Sequence, residues 1–175
     1  MIAPFLLFSL VGLGFFYLQN LVFFPQVRLD FVALLIFYVG LRPSLALALA
    51  VGLALGTLQD SYAATPFGLH VGAALVLVAA ARFFRRRLLL QRVGSQVLAT
   101  LGALTFQEVW FQVTIVILRF QSPFTGDLVT YRGLEILATA ALAPLMYQLG
   151  RGLERLLRLL GWLPLRDVTT FKPST

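Results

Sequence analysis

Long apolar runs dominate this chain, and short polar or charged breaks between them define its elements. The first run, Ala3 to Phe24, is about 22 residues; at roughly 1.5 Å each it covers a bilayer core. The next, Phe31 to Leu58, contains Arg42-Pro43. As a single helix it would hold a guanidinium near the bilayer centre, at about 2.5–3.5 kcal/mol, and would lose a backbone hydrogen bond at the proline. The pattern therefore predicts two short helices, 29–41 and 43–59, with the Arg-Pro pair as a turn at the membrane face. Phe67 to Ala81 is the fourth run and stops at Arg82-Phe83-Phe84-Arg85-Arg86-Arg87. Gly94 to Leu118 is the fifth and longest. Gly133 to Gly150 is the sixth, with Pro144 expected to kink it. From 151 to 161 the spacing turns amphipathic, Leu153, Leu156, Leu157 and Leu160 opposing Arg151, Glu154, Arg155 and Arg158, and predicts an interfacial helix. Residues 163–175 read as a cytoplasmic tail. The expected fold is all-α, a polytopic membrane protein with six short transmembrane helices in a single domain over 1–162.

Within these runs the small residues are ordered. Ser44, Ala48, Gly52 and Gly56 recur every fourth position, and the row continues to Asp60; Ala64, Gly68 and Gly72 form a second row. A helix stacks such residues on one face, where they let backbones approach closely. The spacing predicts a tight helical hairpin with a carboxylate and the Gln59 amide at one end.

Composition agrees with the membrane reading. Of the 175 residues, 59% are hydrophobic and 12% charged, about half the charge of a soluble domain. The formal charge of +7 does not imply nucleic acid: thirteen of the fourteen basic residues are Arg and they cluster beside apolar runs. That arrangement suits the positive-inside rule and anionic lipids. With both termini in the cytoplasm, Arg42, the Arg82–Arg92 loop and the C-terminal basics lie inside, and only Arg28, Arg119 and Arg132 lie outside. Asp60 then falls on the outer side. The first run has no small-residue cleavage site and reads as an uncleaved anchor. Cysteine is absent, which removes disulfides and thiolate chemistry.

The polar residues supply the candidate chemistry. Gln59 and Asp60, followed by Pro66, Gly68, His70 and Gly72, form the most informative cluster. Two readings stand: a helix-capping, structural hydrogen-bonding role, or a site that pairs Asp60 with His70 and holds a partner or ligand. One His and one Asp are too few for a metal. Glu108, with Gln112 one turn on, sits within the fifth run and should face the bundle interior, where interhelical hydrogen bonding outweighs proton transport because the other acids lie at membrane edges. Gln19 and Asn20 either join Gln112 in the same internal polar patch or lie in the interface, and the interfacial reading is preferred. Arg82, Arg85, Arg86, Arg87 and Arg92, with Arg151, Arg155 and Arg158, read as cytoplasmic contacts for anionic lipid or for a protein partner. The sequence has no nucleophile elbow, phosphate loop or facing carboxylate pair, so neither an enzyme nor a cofactor is expected.

Six short spans, a Gly-rich third span closing on Leu58-Gln59-Asp60, then Thr65-Pro66-Phe67-Gly68-Leu69-His70 and a basic stop, resemble the MreD family of bacterial rod-shape-determining membrane proteins. At the entry to the second span, many members have basic-Pro-Asp where this chain reads Arg28-Leu29-Asp30. The resemblance implies a non-enzymatic scaffold of the cytoplasmic (inner) membrane, acting in lateral cell-wall synthesis. It implies MreC as direct partner and MreB, RodA and a class B penicillin-binding transpeptidase in the same complex, with the small faces Ser44–Gly56 (Gly52, Gly56) or Gly68–Gly72 expected to seat a partner's transmembrane helix and Gln59 and Asp60 to fix its outer end. It also implies a bundle similar to the S components of vitamin uptake transporters. That likeness leaves substrate binding as the alternative function, although the first span lacks the Ala-x-x-x-Ala pattern of S components: Ala3 is followed four residues on by Leu7.

Overall fold

The computed structural model describes residues 2–21, 29–63, 66–87, 93–118, 126–159 and 161. They form seven helices: α1 (Ile2–Leu21), α2 (Phe31–Gly40), α3 (Leu45–Tyr62), α4 (Leu69–Arg87), α5 (Val93–Ile117), α6 (Gly126–Ala141) and α7 (Ala143–Leu159). Three of these, α1, α3 and α5, are long and apolar enough to cross a membrane.

The chain breaks at Arg42-Pro43 as the charge pattern predicts. Asp30 starts α2, its Oδ1 accepting from the Ala33 N–H at 2.8 Å. Ser44 starts α3, its Oγ accepting from the Leu47 N–H at 3.3 Å. Both side chains satisfy donors that a first turn leaves open. Ten residues make α2 only about 15 Å long, half a bilayer core. Every residue from Val32 to Gly40 is buried, and α2 touches every other helix. It is the centre of the bundle.

The expected hairpin of small residues is α3 against α4. Ala48, Gly52, Gly56 and Asp60 are all buried on one face of α3. A Cβ at Gly56 would lie 2.8 Å from the Cα of Val71, and one at Gly52 would lie 3.5 Å from Val78 Cγ2. On α4, a Cβ at Gly72 would fall 2.5 Å from the Trp110 ring of α5. These faces are therefore filled from within the chain. The expectation that Gly52, Gly56 or Gly72 seats a partner's helix is corrected: each position is already occupied by an α4 or α5 neighbour.

Three boundaries differ from the sequence reading. Arg82, Arg85 and Arg86 ride on the last turns of α4 rather than in a loop, because Arg and Phe continue a helix and nothing there stops it. The Arg87 side chain and all of Arg92 lie outside the described residues. Near the C-terminus, the expected span 133–150 straddles a break at Leu142. Pro144 has no N–H for the Ala140 carbonyl, and the Leu142 N–H turns instead to Thr139 O at 3.1 Å. Proline then occupies the second position of α7, where its missing donor costs nothing. The amphipathic segment is no separate helix, since α7 runs unbroken from Ala143 through Gly150 to Leu159. Gly161 apart, the residues beyond it, with the expected tail, lie outside the described residues, as do 22–28 at the expected end of the first span.

Candidate functional site: a polar cavity at the Asp60 end

Asp60 builds one end of the bundle. Its carboxylate, on the last turns of α3, accepts from the backbone N–H groups of Gly68 and His70 at 2.8 Å each and of Val71 at 3.3 Å. These belong to the start of α4, so a side chain from one helix caps the next. An anion placed there also meets the positive end of the α4 dipole. Gly68 has φ +99°, a conformation that favours glycine, and turns the chain into α4. His70 Nδ1 lies 3.0 Å from Asp60 Oδ1. Since an ionised carboxylate only accepts, Nδ1 carries the proton and donates. The His70 ring meets Phe111 of α5 edge-on, with centroids 5.2 Å apart. Trp110 Nε1 donates to Leu69 O at 3.4 Å. The Gln-Asp and Pro-x-Gly residues are thus one unit, whose hydrogen bonds close the α3–α4 hairpin and dock it on α5.

Above this unit lies a cavity of about 600 Å³. Residues of α1, α3, α4, α5 and α6 line it, as do Leu29 and Asp30 just before α2, with Gln59 of α3 and His70 of α4 on the hairpin side. From α5 come Gln107, Glu108, Phe111 and Gln112. Glu108 is half-buried and turns toward the cavity, but its Oε1 accepts from Gln112 Nε2 at 2.8 Å on the same helix, an intrahelical bond and not the interhelical one expected. From α6 come Arg132, Glu135 and Thr139, with Arg132 Nη1 3.1 Å from Glu135 Oε2. Asp30 joins from the start of α2, where its backbone N–H donates to Thr139 Oγ1 at 3.3 Å. Gln19 and Asn20 of α1 line the cavity too, rather than the outer interface the sequence reading gave them. Of the residues expected to form a partner site, Gln59, Asp60, Gly68 and His70 come together here, with Pro66 at the turn accepting from the Leu69 N–H at 3.3 Å. Gly52, Gly56 and Gly72 lie in helix contacts instead.

Sequence reasoning treated Asp30 and Glu135 as separate membrane-edge acids and gave Arg132 no role beyond topology. One signal could have joined them. Alternating helix directions carry residues near 20, 30, 60, 70, 110 and 135 to the same end.

The opposite end of the bundle is basic. Arg42, in the α2–α3 turn, forms an ion pair with Glu154 of α7 and lies 5.6 and 5.5 Å over the rings of Phe8 and Tyr38. The Tyr38 hydroxyl donates to the same carboxylate, and Arg158 Nη2 stands 3.8 Å from its other oxygen. Arg82 and Arg85 donate to the carbonyls of Pro43 and Arg42 at 3.2 and 2.9 Å, so both fasten the turn. Arg86, Arg151 and Arg155 are exposed.

Among the described residues no group of three or more His, Asp or Glu is placed to hold a metal ion. Compared with protein-family models, curated proteins and solved structures, the chain matches none.

Proposed function

We propose that this chain is a non-enzymatic membrane scaffold of the MreD type, which binds MreC and links peptidoglycan synthases and MreB during lateral wall growth. The observation that carries the reading is the closed Asp60 unit. The residues on which the resemblance rests, Gln59-Asp60 and Pro66-x-Gly68, act together at one hairpin end. In this reading α1, α3 and α5 cross the inner membrane with α2, α4 and the α6–α7 rod between them, giving six crossings in an S-component-like bundle. Both termini are then cytoplasmic, the cavity opens outward, and Arg42, Arg82, Arg85 and Arg86 meet the anionic inner leaflet. Because the glycine faces are filled, a partner's helix docks on faces the bundle leaves bare. These are α1 at Leu6, Leu10 and Tyr17, and α5 at Leu98, Val109 and Val113. Affinity purification in mild detergent from a rod-shaped host is expected to recover MreC, and recovery of no elongation protein overturns the reading.

A second reading, the S component of a vitamin uptake transporter, is favoured by the cavity, whose volume suits a small molecule. The geometry of α1 weighs against it. Gly12 and the rest of its narrow face, Pro4, Phe8 and Phe16, turn inward, and a Cβ at Gly12 would lie 2.5 Å from Leu55. The outer face keeps Ile2, Leu6 and Leu10, too bulky for the small-residue docking stripe an energy-coupling subunit uses.

A further inference from the structure

The lining of the cavity carries more than its shape. The chain has seven acidic residues in all, and three of them, Asp30, Glu108 and Glu135, converge on this one space from three different helices or their caps. Among the described residues a single guanidinium, Arg132, stands against them, and it is paired with Glu135. His70 adds no free donor at Nδ1, which is committed to Asp60. Among the described lining residues the surplus is therefore of carboxylates and lies with Asp30 and Glu108. Hydrogen-bonding capacity is skewed the same way. Among the described residues Gln19 Oε1 and Gln112 Oε1 are buried acceptors without a partner, although both residues line the cavity. Buried acceptors left unpaired cost about 1–3 kcal/mol each, so the site favours whatever brings donors. Phe111 supplies an aromatic wall, the surface a cation prefers among apolar ones.

A bare metal ion does not answer this description, because among the described residues the acids share the cavity but no three of them stand close enough together to hold one. An anion would meet carboxylates, with the one guanidinium among the described residues already engaged. A volume of about 600 Å³ is in the range of sites that enclose organic molecules. We propose that the cavity at the Asp60 end binds an organic cation through an ammonium or guanidinium group, with Asp30 and Glu108 as its counter-charges and the Gln19 and Gln112 amide oxygens as further acceptors. The group could be carried by a free molecule or by a phosphatidylethanolamine headgroup, whose chemistry at this point is the same. The site is independent of the scaffold reading. Failure to recover MreC leaves it standing, and an empty cavity leaves the scaffold standing.

The test uses the full chain in nanodiscs of phosphatidylglycerol alone, and of phosphatidylglycerol with phosphatidylethanolamine. Agmatine, which carries both cationic groups, is titrated against glutarate and erythritol, with thermal stability and native mass spectrometry as readouts. Expected is a saturable rise in Tm and a bound mass with agmatine, neither with glutarate or erythritol. A rise that appears only with phosphatidylethanolamine assigns the cation to the lipid. Glu108→Gln and Asp30→Asn keep shape and, for Asn, the helix cap. Each should leave the ligand-free Tm near that of the parent and weaken agmatine or headgroup binding about tenfold. Stabilisation by neither cation source, equal stabilisation by glutarate or erythritol, or an unchanged response in folded variants overturns the proposal. Should a variant not fold, the charge selectivity of the unmodified chain still decides.

Discussion

Gly56→Leu is expected to abolish recovery of folded protein, giving aggregate in place of a symmetric peak by size exclusion in detergent. The Cβ alone would sit 2.8 Å from Val71 Cα and 3.2 Å from His70 O. Both are backbone atoms of α4, so no side chain can swing aside. Relief requires α3 and α4 to part along the whole hairpin, which opens the Ala74, Leu77 and Val78 contacts below and shifts the Asp60 bonds above. Overpacking of a core by a few methylenes costs about 1–3 kcal/mol, and more where backbone must move. Gly56→Ala is the graded version and should lower the Tm measurably while leaving some folded material. Gly14, whose Cβ would meet nothing within 4 Å, is the control: Gly14→Leu should behave as the parent chain. Normal folding of Gly56→Leu would mean that α3 and α4 do not pack as described.

The second large effect is expected from Asp60→Ala. That change removes one carboxylate and leaves the N–H groups of Gly68, His70 and Val71, together with the His70 ring, without their acceptor. Asp60 is only 5% exposed, so water cannot readily replace it. An unsatisfied buried donor costs about 1–3 kcal/mol, and three of them should take a large share of a typical margin of 5–15 kcal/mol. Amide hydrogen exchange at Gly68, His70 and Val71 should rise sharply, with exchange in the body of α5 changing less. Asp60→Asn keeps one acceptor oxygen but loses the charge at the helix end, and its loss should fall between parent and alanine. His70→Ala removes only the ring contact and should cost least of the three. If these three variants melt like the parent chain, Asp60 does not hold the hairpin.

How much of this was legible in the chain depended on whether the cause was local. The Arg42-Pro43 turn could be read because a charge and a missing donor fail in the same place. The α3–α4 hairpin could be read from the four-residue spacing of small side chains. What fills a small face could not be read that way: spacing shows that something approaches Gly56, and only the fold shows that it is Val71. The helical course of Arg82 to Arg86 was missed because charge marks where a run leaves the apolar phase, while helix propensity does not change there. The cavity was missed for a different reason. Gln19, Asp30, Glu108 and Glu135 come from four separate stretches, each unremarkable in its own window, and meet only after the helices have alternated direction. The capping half of the Asp60 reading is what the structure displays; occupancy by a partner or ligand is the part left to experiment.

The position of α2 has a consequence for how this protein is made. A segment of ten residues, buried from Val32 to Gly40, has almost no boundary of its own with hydrocarbon in the finished bundle. It is too short to be released sideways into lipid as a stable crossing of its own. During synthesis it must wait, paired with the α3 that follows it, until later helices arrive to wrap it. The last of these is α7, whose Glu154 closes on Arg42 more than a hundred residues after that arginine has left the ribosome. A chain cut short before α7 would hold its most apolar helix without its full enclosure, and cellular quality control would meet that segment first.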